Sequence, residues 1–221
     1  MRLNIEEMKQ NSYIAVIGDI IAFREAEERG ALQARLKAAI AGANLACRNT
    51  LASSFILTLG DEFQGLLNST DDMHRLLACF RADLHSAEVR FGIGIGPLDT
   101  PLEAQALGMD GPCFHRARDA VERAASRQTY VEVSIPDDSG DQGVFDIYAV
   151  LSAAIRHRWT RRQRQVVDLT MAGSEGKEVA VRLAITPSAV SQHLHAAGGQ
   201  AITEATRTWQ AALHRAFLHL E

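Results

Sequence analysis

Cysteine is scarce in this sequence, and its few copies are far apart. The chain contains three cysteines, Cys47, Cys79 and Cys113, and none belongs to a Cys-x-x-Cys pair. An odd number of isolated cysteines indicates reduced thiols that serve in packing rather than a disulfide framework. We therefore expect a cytoplasmic protein.

Long apolar runs are missing as well. No apolar run reaches the roughly 18 residues needed to span a bilayer, and the first residues are polar, without the apolar centre of a signal peptide. We expect neither a membrane segment nor a secretory leader. With 221 residues, 47% apolar and 23% charged, the chain is long enough for one large domain or two small ones.

Charge is distributed unevenly along the chain. Residues 1–150 contain 14 basic and 22 acidic side chains, a net charge of −8, whereas residues 151–221 contain 9 and 5, a net charge of +4. Five of the eight histidines also lie in the second segment. This asymmetry predicts an acidic domain over 1–150 and a basic domain over 151–221 that is able to meet a polyanion. The alternative is a chance segregation of surface charge.

Strand and helix patterns alternate through the first hundred residues. Apolar, β-branched runs predict strands, and apolar residues at helical spacing predict two amphipathic helices. In chain order the elements are a strand at Tyr13–Asp19, a helix at Glu25–Arg48, a hairpin of Phe55–Leu59 and Phe63–Leu67, a helix at Thr70–Ala87 and a strand at Val89–Ile95. The order βαββαβ predicts an α+β, ferredoxin-like fold.

Three carboxylates fall at one edge of this predicted sheet. Asp19 ends the first strand, and Asp61 and Glu62 occupy the hairpin turn. In a βαββαβ sheet the carboxyl end of the first strand lies beside that turn, so we expect the three acids to converge. Converging carboxylates repel unless protons or a cation intervene, and Mg²⁺ binds one or two carboxylates together with substrate phosphates. Taken alone, the Gly-Asp step is also ordinary turn chemistry.

Three short motifs in this region resemble the palm domain of class III nucleotide cyclases. They are GDIIAFRE, TLGDEFQ and VRFGIGIGP, which occur in this order at predicted strand ends. GDEF is also similar to the signature of diguanylate cyclases, which share the palm. The resemblance implies that Asp19 and Asp61 are metal ligands, that the Ile20 carbonyl is a third ligand and that Glu62 is an accessory one.

The next segment departs from the cyclase pattern. Where the cyclases place an asparagine and, four residues later, an arginine that steadies the transition state, this chain has His115 and Asp119. An acid at that position opposes stabilisation of developing negative charge, so we assign no catalytic residue. Arg24, His115 and Arg116 remain candidate nucleotide contacts. Alternatively, His115 is a capping or core histidine, and Arg116 and Arg118 belong to a solvated helix face.

The basic segment is predicted to be helical. A strand at Thr129–Ile135 and a connecting helix at Asp146–Arg158 lead to three short helices that begin at Trp159, Ser174 and Pro187. A helix, a short turn and a second helix with outward polar residues are typical of a DNA-reading helix-turn-helix. Candidate phosphate contacts are Arg161, Arg162, Arg164 and Lys177, and candidate base contacts are Ser188, Ser191, Gln192 and His195. The alternative is a three-helix packing module without a ligand.

The run Lys-Glu-Val-Ala followed by Ile-Thr-Pro-Ser-Ala-Val-Ser-Gln-His-Leu resembles the helix-turn-helix of LuxR-type regulators and of the last DNA-binding region of sigma factors. After it, Ile202–Leu220 forms a helix with one apolar stripe. Such a stripe either seals its own domain or pairs with a second copy, and a homodimer would suit two half-sites on DNA.

The order of GDIIxxR, GDEFQGLL, GIGxG, GPxxHRARxA and the final helix-turn-helix resembles the SatD family over nearly the whole chain. The resemblance implies a bacterial cytoplasmic protein with a cyclase-like palm and a DNA-binding tail. We therefore expect a DNA-binding transcriptional regulator whose palm binds Mg²⁺ and a nucleotide. The alternative is an active nucleotidyl cyclase or a related metal-dependent phosphoryl-transfer enzyme.

Overall fold

A computed structural model describes residues 12–25, 27–71, 73–84, 87–136 and 141–219. The five strands within these residues are β1 Ser12–Ile20, β2 Leu51–Leu59, β3 Glu62–Leu67, β4 Val89–Pro97 and β5 Val131–Ser134. The eight α-helices are α1 Arg29–Ala46, α2 Met73–Asp83, α3 Pro112–Arg127, α4 Gln142–Arg156, α5 Arg161–Met171, α6 Gly176–Leu183, α7 Pro187–Ala196 and α8 Gly199–Leu218.

The five strands form one mixed sheet in the order β2-β3-β1-β4-β5. Strand β1 is central because its apolar run is buried on both faces, and it pairs antiparallel with β3 and with β4. The hairpin of β2 and β3 is antiparallel, and β5 joins the outer edge of β4 in parallel. The predicted βαββαβ order is therefore confirmed for the first four strands, and β5 extends that sheet.

Helices cover both faces of the sheet. One face packs against α1 and α2 around a cluster of four aromatic rings, Phe55, Phe63, Phe80 and Phe91. The opposite face is covered by α3, which buries Ala15, Ile17 and Leu66 beneath Cys113, Ala117 and Val121. Alternation along each strand separates the two cores, because successive side chains point to opposite faces.

Helix α3 lies unusually close to the sheet because β4 presents glycines to it. A Cβ atom at Gly92 would stand 2.2 Å from the Ala117 carbonyl oxygen, and one at Gly94 would stand 2.2 Å from that of Cys113. No side chain fits in that space. The glycine alternation of VRFGIGIGP therefore sets the position of α3, and α3 in turn carries Arg118 toward the end of β1.

The C-terminal helix α8 contributes to the main core. Trp209, Leu213 and Phe217 are buried in the same cluster as the α1–α2 face of the sheet. This differs from the expectation that the stripe seals its own domain or pairs with a second copy. Only Ile202, at the start of the stripe, packs with residues of the basic segment, and Leu220 lies outside the described residues. The division at residue 150 remains a prediction.

Several predicted element boundaries shift by a few residues. Helix α2 ends at Asp83 rather than Ala87, α1 begins at Arg29 rather than Glu25, and α4 begins at Gln142 rather than Asp146. The three cysteines are reduced thiols. Among the described residues, no helix combines the length and the apolar character needed to cross a bilayer.

Candidate functional site

The acids predicted to converge do lie side by side at the end of β1. Asp19 faces Glu62 across the β1–β3 pair, and the Ile20 amide donates a hydrogen bond of 3.3 Å to the Asp61 carbonyl. Directly opposite residues of an antiparallel pair point to the same face, which here is the face covered by α3. The predicted proximity of the end of β1 and the hairpin turn is confirmed.

Two arginines accompany these acids. The Arg90 guanidinium, opposite Asp19 on β4, lies 3.1 Å from its carboxylate. Arg118 reaches down from α3 and donates two hydrogen bonds to Glu62, one of them 2.8 Å long. Thr58 donates a further hydrogen bond of 3.0 Å to the same carboxylate. Arg118 is thus part of the cluster, and its interpretation as part of a solvated helix face is wrong.

The two paired acids differ in their proton affinity. Burial raises the pKa of the Asp19 carboxyl, Arg90 opposes that effect, and the charges of Asp61 and Glu62 add to the increase. The hydrogen bonds from Arg118 outweigh burial at Glu62 and lower the pKa of its carboxyl. The hydrogen bonds to Glu62 in turn raise the pKa of Arg118. Asp19 therefore carries the less well compensated negative charge of the two.

The donor chemistry of this edge fits a hard cation only in part. Within the part of the chain that the structure describes, no three His, Cys, Asp or Glu side chains group closely enough to enclose a metal ion. Mg²⁺ needs fewer protein ligands when phosphate oxygens complete its shell. Asp19, Asp61 and the Ile20 carbonyl are the groups that would hold it, whereas Glu62 is already held by Arg118.

Two of the three candidate nucleotide contacts, His115 and Arg116, have partners outside the acidic edge. Arg116 donates a hydrogen bond of 2.8 Å to the Ile95 carbonyl, and Ile95 lies about 17 Å along β4 from Arg90 at the rise of an extended strand. His115 is exposed and pairs with Asp110 at 2.7 Å. The backbone of Arg24 lies in a short 3₁₀ turn after β1, close in sequence to Asp19.

The helices of the basic segment form as predicted. The Thr160 side chain accepts the Gln163 amide in a capping box that starts α5, and the Thr186 side chain accepts the Ala189 amide at the start of α7. Helices α5, α6 and α7 pack around a small apolar core that includes Val166, Val179 and Val190. Residues 184–186 connect α6 to α7.

Helix α7 presents one polar face to solvent. The four candidate base contacts are all exposed, and their spacing of three and four residues puts them on one side of the helix, namely Ser188, Ser191, Gln192 and His195. The candidate phosphate contacts differ among themselves. Arg161 and Lys177 are exposed, whereas Arg162 donates to the Leu183 carbonyl and Arg164 forms an ion pair with Glu88 at 2.6 Å.

Sequence reasoning missed the arginines that hold the acidic edge. Arg90 lies two residues before the first glycine of the GIGIG run, so the alternation of β4 already indicated that Arg90 shares a face with those glycines and with Asp19. The contact of Arg118 with Glu62 depends on how α3 is rotated above the sheet, and no sequence pattern reports that rotation.

The sheet order and its acidic edge define an α+β protein with a palm-like arrangement of its first four strands, followed by a helical C-terminal segment. The model of the SatD family matches residues 13–213, and the chain belongs to that family.

Two solved structures are similar to part of the chain. They are the dimeric and monomeric forms of the guanylyl cyclase domain of the RhoGC fusion protein from the aquatic fungus Blastocladiella emersonii. Each is 16% identical and covers 51% of this chain, with 74% and 75% of their own chains covered and TM-scores of 0.36 and 0.37. These TM-scores are low, so the fold is assigned from the strand order of this chain and not from the similarity. A search of curated proteins gave no match.

Proposed function

We propose that this protein is a DNA-binding transcriptional regulator whose sheet domain binds a divalent cation together with a nucleotide. The observation that carries the proposal is the exposed polar face of α7, which follows α6 after a three-residue connection. A helix with this placement enters the major groove in helix-turn-helix proteins, where serine and glutamine contact base edges.

The charge of the segment supports the same function. Residues 151–221 carry a net charge of +4 within a chain whose total is −4. Phosphate contacts supply most of the sequence-independent affinity of a protein for DNA. Exposed Arg161 and Lys177 are available for such contacts, so an acidic protein would still present a basic surface to the duplex.

The acidic edge supports ligand binding rather than catalysis. Arg90 and Arg118 already pair with two of its carboxylates, and Asp119 occupies the position where the resemblance to cyclases calls for a cation. A bound Mg²⁺–nucleotide would bring its own positive and negative charges to Asp19, Asp61 and the Ile20 carbonyl. Such a site would sense the nucleotide and bias how the helical segment engages DNA.

Binding to genomic fragments tests the DNA-binding half of the proposal. The full chain, incubated with a pool of fragments at low salt, is expected to retard specific fragments in a mobility-shift assay. Gln192→Ala should reduce discrimination between bases by about 1–3 kcal/mol if Gln192 contacts a base edge. Gln200→Ala, which changes another exposed glutamine, is the matched control. Absence of any retarded DNA would refute this half.

Binding of Mn²⁺, followed by its electron paramagnetic resonance signal, tests the cation site. We expect the chain to bind Mn²⁺ in the presence of a nucleoside triphosphate and Asp61→Asn to lose that binding. Asp71→Asn removes a carboxylate that is exposed on the chain before α2 and should leave binding unchanged. Equal binding by both variants would place the ion elsewhere.

A second candidate function is a metal-dependent nucleotidyl cyclase. The proximity of Asp19 to the Asp61–Glu62 turn favours it, because two carboxylates that hold divalent ions promote attack of a hydroxyl on a phosphate. Incubation with nucleoside triphosphates and Mn²⁺ would then release pyrophosphate, and Asp61→Asn would abolish the release. No pyrophosphate from the wild-type chain would exclude this function.

A further inference from the structure

A polar cavity of about 350 Å³ lies where the sheet domain meets the helical segment. Its charged lining comes from four separate parts of the chain, which are α2, the residue before β4, the end of α4, and α5. We call it the arginine pocket, and its charged residues are Arg81, Glu88, Arg156, Arg161, Arg164 and Asp168. Four arginines thus face two carboxylates.

Two of the arginines pair with the two carboxylates. Arg156 donates to both Asp168 oxygens at 2.8 and 2.9 Å and to one Glu88 oxygen at 3.0 and 3.1 Å. The other Glu88 oxygen lies 2.6 Å from Arg164. Every carboxylate oxygen of the pocket therefore lies near a guanidinium group, but the Glu88 oxygen beside Arg164 and the Arg164 Nε atom have no hydrogen-bond partner among the described residues.

Arg81 is left without such a partner. Its guanidinium lies over the Phe91 ring at 5.2 Å and donates to the Tyr130 carbonyl at 3.3 Å. Its Nε atom is buried and has no hydrogen-bond partner among the described residues. Burial, together with the charge of Arg156, lowers the pKa of Arg81. A buried cation without a carboxylate is costly, and a bound anion would remove that cost.

Arg161 supplies the second uncompensated charge. It is exposed at the start of α5 and lines the mouth of the same cavity. Within the described parts of the chain no carboxylate forms an ion pair with it. One buried and one rim arginine therefore face the same space, and guanidinium groups donate in the geometry that phosphate oxygens accept.

We infer that the arginine pocket binds a small phosphate-bearing anion with at least two negative charges. The cavity volume lies at the small end of the range for ligand pockets, which suits inorganic phosphate, pyrophosphate or a sugar phosphate better than a polymer. The anion would contact α2 and α5 together, so its binding would stiffen the junction of the sheet domain with the helical segment. This site is separate from the acidic edge. It shares Arg161 with the proposed DNA-binding surface, but its binding of a small anion does not require that the chain bind DNA.

Calorimetric titration of the full chain with pyrophosphate, ribose 5-phosphate and inorganic phosphate tests the inference. EDTA is present throughout, so that divalent cations do not contribute, and uncharged ribose serves as the ligand control. We expect saturable binding of the phosphate compounds and none of ribose. Equal affinity for inorganic phosphate and ribose 5-phosphate identifies free phosphate as sufficient, whereas tighter binding of the ester identifies a phosphorylated metabolite; both support the pocket.

Variants locate the anion. Arg161→Gln should weaken binding about tenfold, the effect of one charge-assisted hydrogen bond. Arg158→Gln removes the same charge from an exposed position outside the cavity and should leave the affinity unchanged. Arg81→Met should abolish binding. If that variant fails to fold, the difference in affinity between Arg161→Gln and Arg158→Gln still tests whether the anion binds in the arginine pocket.

Three results would overturn the inference. They are the absence of saturable binding at millimolar concentrations, an equal loss in Arg158→Gln and Arg161→Gln, or a loss of binding in Asp61→Asn. The last result would move the anion to the acidic edge, whereas a chain that binds phosphate but not DNA would refute the proposed function alone.

Discussion

Neighbouring carboxylates at the end of β1 experience opposite electrostatic environments. Glu62 is held by two hydrogen bonds from Arg118 and one from Thr58, whereas Asp19 has one arginine and two acidic neighbours. The first arrangement stabilises the ionised acid in the folded protein, and the second penalises it. Positions that are penalised in the fold are often kept for a ligand.

Replacing Glu62 should destabilise the protein only where the carboxyl is ionised. Because folding lowers the pKa of Glu62, its contribution is present above the unfolded value and is lost as the pH falls through the folded one. Arg118 is 40% exposed, so we expect Glu62→Gln to cost about 1 kcal/mol at pH 7 rather than the full value of a buried pair. Urea unfolding at pH 7 and near pH 3 measures this difference. A cost that persists at low pH would contradict the assignment.

Replacing Asp19 should have the opposite effect on the free energy of unfolding. Folding raises the pKa of this carboxyl, so stability falls as the pH rises from the unfolded pKa through the folded one. Asp19→Asn removes that penalty and should leave the free energy of unfolding at pH 7 unchanged or higher, although the Arg90 pair is lost. Urea unfolding in EDTA measures it without interference from bound metal. A clear loss of stability would show that the Arg90 pair outweighs burial.

At the scale of elements, the position of α3 on β4 organises the candidate site. The strand alternates glycines with Phe91, Ile93 and Ile95, which fill the opposite core. Helix backbone then takes the place of the missing side chains, and this close approach brings Arg118 over Glu62.

Adding one methyl group at this contact should therefore strongly destabilise the fold. The Cβ atom of Gly94→Ala would meet backbone atoms of Cys113 and Ala117 at 2.2 and 2.3 Å, and we expect a loss of about 3 kcal/mol or more. Gly42→Ala is the matched control, because a Cβ there meets nothing within 4 Å and alanine favours a helix by roughly 0.5–1 kcal/mol. Thermal unfolding of both variants checks the prediction, which a mild effect at Gly94 would contradict.

The same elements define what the sequence can predict. Strand order and the proximity of Asp19 to the hairpin follow from the βαββαβ pattern, since topology alone places the end of β1 beside that turn. The pattern VRFGIGIGP predicts a strand, but its role in seating α3 depends on the helix that covers it. Glu62 lies 56 residues from Arg118, and Glu88 lies 68 residues from Arg156. Such contacts depend on packing angles that local periodicity does not encode.

At the scale of the whole molecule, the C-terminal helix ties the basic segment to the sheet. Trp209, Leu213 and Phe217 lie in the core of the sheet domain, and Arg156 joins Glu88 to Asp168 of α5. A ligand bound at either proposed site would therefore act on a helical segment that shares core residues with the sheet. The apolar stripe of α8 is used inside the chain, so a homodimer would need another surface.

Unfolding should accordingly be a single transition that depends on α8. Trp209 is 2% exposed, and Trp209→Ala is expected to cost about 3–5 kcal/mol and to lower the midpoint of the whole transition. Leu218→Ala, in the same helix but half exposed, should cost far less. Circular dichroism during thermal unfolding compares them. Two separate transitions, with only one affected by Trp209→Ala, would show that the segments fold independently.

The most direct test of the central claim is the affinity of the full chain for a selected DNA fragment, measured by fluorescence anisotropy at fixed salt with and without Mg²⁺ and a nucleoside triphosphate. We predict that the nucleotide changes the dissociation constant of the wild-type chain by roughly fivefold or more, within the usual range of coupling between two sites, and that Asp61→Asn binds DNA but no longer responds. A chain that binds no DNA, or that binds it equally under every condition in both proteins, would contradict the account.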